Sequence, residues 1–186
     1  MLCSSLRILC ALVVAVSVSL FHSAPRAKAA SALEIDARTN AALERFFIEV
    51  PAGEELAGKA AGMLIFPSIV KAGIVIGGEY GEGALRIEGY TAAYYSSAAG
   101  SIGLQIGVQS KSLVILFMTR DALDDFRNSN GWEVGVDGSI AIVTAGVGGT
   151  LNTNTLKEPI IAFIFGQKGF MGNLTLEGIK INRIIR

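Results

Sequence analysis

Beyond position 22 the chain has no cysteine and no histidine; Cys3, Cys10 and His22 all lie near the N-terminus. Without that first segment the remainder can form no disulfide and no thiolate zinc site. It also lacks a thiol nucleophile and an imidazole base. Charge is sparse, at 17% of residues, with sixteen basic and sixteen acidic groups. The chain is therefore not a general nucleic-acid binder, which needs a basic face. Four prolines, Pro25, Pro51, Pro67 and Pro159, leave few fixed breaks.

The first 29 residues read as a signal peptide. Arg7 is a short basic region, Ile8 to Phe21 is apolar but short for a bilayer span, and Ala27-Lys28-Ala29 is a small-x-small cleavage site. The mature start is placed near Ala30. Arg26 and Lys28 lie unusually near the cut, and an uncleaved anchor is the alternative. Cys10 lacks the small residues before it that a lipoprotein signal needs. The leader holds Arg7, Arg26 and Lys28 and no acid, so residues 30–186 are mildly acidic. They suffice for one domain with a real core, in a compartment that is periplasmic or outer-membrane-associated.

What the chain has in abundance is glycine, 22 residues, concentrated in KAGIVIGGEYGEG from Lys71 to Gly83. Glycine at this density in a strand implies a bulge, a tight bend or a close backbone neighbour. Gly81-Glu82-Gly83 reads as a hairpin turn, with Ala84 to Tyr90 returning. Before it, Ser31-Ala32-Leu33-Glu34 is a capping box. Leu43, Phe46, Phe47 and Val50 then form a helical stripe that Pro51 ends. The polar face is mixed in sign, which favours a helix packed on the core over one lying on lipid. Glu54 to Ala61 is a second short helix, and Met63 to Phe66 a buried strand ended by Pro67, with Ser68 to Lys71 as a loop.

Thr91 to Ala99 carries no clear signal. Ser101 to Gln109 alternates as a half-buried strand, Ser110-Lys111-Ser112 reads as a turn, and Leu113 to Met118 as a central strand. A helix follows to about Asn128. Trp132, Val134 and Val136 alternate into an Asp137-Gly138 hairpin with Ser139 to Thr144. Gly146 to Glu158 is a loop. Ile160 to Phe165, Phe170 to Leu176 and Ile179 to Ile185 are closing strands. The expected class is α+β: a curled antiparallel sheet, barrel- or sandwich-like, with two N-terminal helices and one inserted short helix.

Catalytic motifs are thin. Ser68-Ile69-Val70-Lys71 matches S-x-x-K, but no S-D-N or K-T-G accompanies it. Gly78 to Gly83 has the wrong order for a dinucleotide loop. Asp121, Asp124 and Asp125 lack calcium-loop spacing, Glu79 and Glu82 are a loose carboxylate pair, and the Asn173-Leu174-Thr175 sequon falls in an expected strand.

Several segments together resemble the SYLF domain family: AGMLIFPSIVKAGIVIGGEYGEG, SIGLQIGVQSKSLVILFMT, FRNSNGWEVGVDGS and GFMGNLTLEGIKI, in that order. The resemblance is to exported, single-domain bacterial members. It implies a lipid-binding, non-enzymatic module without a cofactor. Eukaryotic relatives bind phosphoinositides and fungal ones also actin. This chain has no SH3 or zinc-finger partner domain and no basic cluster before the core. The first absence argues against carrying over the endocytic role, and the second against both strong phosphoinositide binding and actin binding.

Two functions follow as expectations. One is a lipid-binding protein of the cell envelope that meets phospholipid or a membrane surface, with Lys59, Lys71 and Arg86 as headgroup contacts. The other is a structural or assembly protein of the envelope that acts through protein–protein contacts. For each of the three cations the simpler reading is a solvated surface group.

Overall fold

The structure is a computed structural model; it describes residues 30–73, 76–102, 107–145, 155–168, 176 and 178–186. The leader, the sequon and most of the expected 146–158 loop and 170–176 strand lie outside the described residues. Among the described residues three α-helices, α1 (Ala32–Glu49), α2 (Gly53–Lys59) and α3 (Arg120–Asn128), accompany one curled eight-stranded sheet, a half-barrel. Its strands are β1 (Gly62–Gly73), β2 (Ile76–Ile87), β3 (Tyr90–Ile102), β4 (Gly107–Phe117), β5 (Trp132–Glu133), β6 (Ile140–Thr144), β7 (Ile160–Lys168) and β8 (Lys180–Ile184). They run in the order β5-β8-β3-β2-β1-β4-β7-β6. Placing β4 beside β1, after the β1-β2-β3 meander, makes a Greek key. The α+β class holds. The sheet is mixed rather than wholly antiparallel, because β6 pairs parallel to β7.

Each face of the sheet carries a core. On the concave face Leu64, Leu85, Ile115, Phe117, Ile164 and Ile181 pack with Leu123 and Phe126 of α3. Phe126 stacks at 4.8 Å from Phe117 and 4.9 Å from Tyr95, with Trp132 edge-on at 5.6 Å. On the convex face Ile65, Val114, Leu116, Ile161, Phe163 and Phe165 pack under Ala42, Phe46 and Val50 of α1. Ser31 caps α1 as its sequence implies, accepting from the Glu34 N–H at 3.2 Å. The helix is then anchored by polar contacts. Asp36 accepts from Thr91 Oγ1 at 2.7 Å and Tyr94 Oη at 2.9 Å, and Glu49 accepts from the Gly166 N–H at 3.0 Å.

β1 does not end at Pro67. Between Ile65 and Ile69 the strand holds one residue more than either neighbour, since Ile65 pairs with Ala84 but Ile69 with Gly81. On the β4 side, Phe66 pairs with Leu113 and Ile69 with Lys111. This is a β-bulge, where a proline is tolerated because ladder bonding is already interrupted. The extra residue reverses the alternation. Leu64 and Phe66 face the concave core before the bulge, and Ile69 faces it afterwards.

The glycines of β2 answer this bulge. A Cβ on Gly81 would lie 2.8 Å from the Ser68 carbonyl oxygen, and one on Gly83 would overlap the Ile65 carbonyl oxygen. Close backbone approach, not a turn, is the reason for glycine here. Gly81-Glu82-Gly83 sits inside β2, and the β2–β3 turn falls at Glu88-Gly89, both with positive φ. Ser110-Lys111-Ser112 is likewise strand interior rather than a turn, and the Ser101 to Gln109 run belongs to two strands. The unassigned Thr91 to Ala99 lies in β3. Val134 to Gly138 does turn, with Asp137 Oδ2 accepting from the Glu133 N–H at 2.6 Å. Its flanks do not pair with each other: β5 joins β8 and β6 joins β7.

Gly83→Ala should cost about 2–3 kcal/mol, because the overlapping atom is backbone and cannot rotate away. Gly58→Ala in α2, where an added Cβ meets nothing within 4 Å, should instead gain roughly 0.5–1 kcal/mol. Urea unfolding of the two variants tests this opposition in sign.

Candidate functional site

Past the bulge, the convex face runs out from under α1. The helix entry and the exposed ends of β1 and β2 enclose an open cleft of about 400 Å³. Ile35, Pro67, Val70 and Tyr80 supply its apolar wall, and Arg38, Glu82 and Arg186 its charged rim. Glu82 Oε1 accepts from Tyr80 Oη at 2.7 Å and pairs with the Arg186 guanidinium; the Ala30 backbone N–H also donates to the carboxylate. Burial pushes the Glu82 carboxyl up, but these donors outweigh it and hold it below its ordinary value. Tyr80 is raised, first by burial and then by its bond to Glu82.

On the opposite face at the same end lies a buried ion pair. Lys111 Nζ contacts both Glu79 oxygens, at 3.1 and 3.3 Å, and the two side chains are 4% and 7% exposed. Lys71 stands directly across from Glu79 in the β1–β2 pair and from Gln109 in the β1–β4 pair. Lys71 therefore places a second positive charge on the face where Glu79 already pairs with Lys111.

The three sequence-predicted cations are not brought together. Lys59 ends α2, exposed and paired with Glu55. Arg86 binds Asn40 Oδ1 at 2.8 Å and the Gly89 carbonyl at 3.2 Å, and lies 3.6 Å from Asp36, so it helps to dock α1. Lys71 is half-buried, eight residues along β1 from Met63, the register partner of Arg86. That spacing is roughly 25 Å. Ser68 and Lys71, three apart after the bulge, project to opposite faces, which dismantles the S-x-x-K pairing. Glu79 and Glu82 also face opposite ways and are no carboxylate pair. Asp121, Asp124 and Asp125 are exposed on α3, with Asp124 3.6 Å from Arg127. Sequence reasoning missed Lys111 and Arg186. The signal for Lys111 was a lone charge inside an alternating strand; nothing in the sequence marked Arg186.

Among the described residues the sheet thus has two cores and one end that no helix covers, with charge on both faces. Residues 98–183 match the family model described as Ysc84, Las17-binding protein actin regulator. Over that segment, a little under half of the chain, the protein is similar to the SYLF family that its sequence resembles. The family is one of lipid- and actin-binding proteins with a non-enzymatic role. The match takes in Lys111 and leaves out Lys59, Lys71 and Arg86. No curated protein matches the chain.

Breaking the buried pair by Lys111→Met or by Glu79→Leu alone should cost about 3–5 kcal/mol, since each strands a desolvated charge. The double variant should recover most of that loss, as a double-mutant cycle in denaturant would show. Glu82, with its lowered pKa, contributes stability above its unfolded value of 4.5, lost as pH falls through the folded one. Thermal unfolding should thus separate Glu82→Gln from the parent at pH 7 and bring the two together at about pH 3.

Proposed function

We propose that this chain is a non-enzymatic lipid-binding protein of the cell envelope, exported by residues 1–29 as a signal peptide and acting on anionic phospholipid. The observation that carries this reading is the uncovered apolar end of the convex face. Val70, Tyr80 and Val108 are 43%, 51% and 70% exposed. They lie together across three strands, for Val70 pairs with Tyr80 and Ala72 with Val108. A sheet end facing only water would carry polar side chains at those positions. The neighbouring cleft suits part of an acyl chain or a headgroup. Arg38 at the rim of the cleft, and Lys71 on the opposite face of the same sheet end, are the cations offered to phosphate, while Lys59 lies at the far end and Arg86 is engaged with α1. No nucleic acid is involved. An exported protein would not meet actin, so that part of the family's role is not extended to this chain.

Native mass spectrometry of the processed protein should show co-purified phospholipid. Co-sedimentation with anionic vesicles should weaken with salt. It should fall several-fold in Lys71→Glu and further in Val70→Asp, with Lys59→Glu close to the parent. Unchanged sedimentation of Lys71→Glu at low salt removes the lysine from the site. A protein that ignores vesicles altogether but captures one envelope protein through Val70 and Tyr80 establishes the assembly role instead.

A further inference from the structure

We infer that the leader is cut between Ala29 and Ala30, and that the α-ammonium created on Ala30 is held by the Glu82 carboxylate, a receptor already built for the processed terminus. This rests on the export reading above. Ala30 lines the cleft and its backbone nitrogen already donates to Glu82. It directly precedes Ser31, the α1 cap, whose side chain is bonded to the Glu34 N–H. The nitrogen is thus placed by the helix rather than carried on a loose arm. Glu82 is fixed in turn by β2, and its two side-chain donors, Tyr80 and Arg186, both use Oε1. The carboxylate therefore has acceptor capacity to spare.

Hydrolysis changes what is offered to that oxygen. Water adds across the Ala29–Ala30 peptide; the Ala29 carbonyl carbon takes the hydroxyl and the Ala30 nitrogen takes hydrogen and then a further proton. A neutral N–H with one donor becomes a cation with three. A charge-assisted hydrogen bond is roughly twice as strong as a neutral one. The other charged groups at the cleft are Arg38, already paired with Glu34, and Arg186, already on Glu82. Both arginines oppose the ammonium, and Tyr80 is neutral, so the carboxylate in contact decides the sign. A cut one residue away would displace the ammonium by about 3.8 Å and lose the contact. The sequence Ala27-Lys28-Ala29 supplies the small-x-small pattern at this bond.

The test expresses the full chain with carbon-13 alanine and recovers it from the cell envelope. Intact mass then gives the first residue, and carbon shifts of Ala30 follow its amine with pH. The expected first residue is Ala30. Its amine should titrate about one unit above the ordinary 7.7–8.0 and return to that range in Glu82→Gln. With a raised pKa, the stabilisation is complete below the unfolded value and is lost as pH rises through the folded one. If Glu82→Gln does not fold, Glu82→Asp should show a reduced shift. A first residue other than Ala30, an ordinary pKa in the parent, or an equal shift in Glu82→Gln overturns the inference and leaves export standing. An uncut chain in the cytosol overturns export and this inference together.

Discussion

The bulge at Phe66–Ile69 is the constraint from which the rest of the molecule follows. One surplus residue in β1 reverses which side chains face which core. Without it, Ile69, Val70 and Lys71 would each exchange faces and meet different partners in β2 and β4. The bulge exists because Pro67 cannot complete a ladder, and because two glycines in β2 let a displaced backbone lie against them. It is also clamped from the other side. Ser112 Oγ donates to the Pro67 carbonyl at 2.8 Å, and Arg45 from α1 donates to Ser112 at 3.2 Å. A helix, a strand and a kink are thereby tied through one hydroxyl. Arg45 also lies 5.8 Å over the Phe165 ring, which joins this polar clamp to the convex core.

How much of this was legible in the sequence depended on whether the signal was local. The Ser31 capping box and the Phe46–Val50 stripe place α1 correctly, because capping and amphipathic spacing are read within one helix. The glycine density in Lys71 to Gly83 correctly announces a close backbone. It does not say that the neighbour is a bulge built around a proline in the preceding strand. Turn assignments failed where small polar residues had a tertiary reason. Ser110 and Ser112 look like turn residues, yet Ser112 serves the bulge and Lys111 is neutralised by Glu79 two strands away. Neither partner is near in sequence. The same holds for Arg86, whose commitment to Asp36 and Asn40 depends on where α1 docks.

Charge is distributed so that each ionic contact performs a different task. Asp36 with Arg86, Thr91 and Tyr94 orients α1 on the sheet, and burial followed by that carboxylate raises the Tyr94 hydroxyl. Glu79 with Lys111 occupies the concave interior, where a hydrophobic pair of similar volume would be at least as stable. An ion pair retained against that alternative points to specificity or to use. Its position beside Lys71, at the end of the sheet that no helix covers among the described residues, favours use. The cleft on the convex side lies at the same end, so the polar and apolar features that a headgroup and a chain would each require converge there.

That convergence explains why the sheet is covered so unevenly. α1 could shield the whole convex face only if it extended past its capped start at Ser31. The cap stops it there, and Ala30 is delivered to Glu82 in the cleft instead of continuing the helix. Val70, Tyr80 and Val108 consequently stay in solvent at a cost that a purely structural protein would avoid by placing polar groups there. Exposed apolar surface across three strands, rimmed by the guanidinium groups of Arg38 and Arg186, is what the proposed lipid contact requires. The same short helix entry that creates the surface also sets its border, and the bulge beneath determines that these side chains, rather than Ile69 and Lys71, form it.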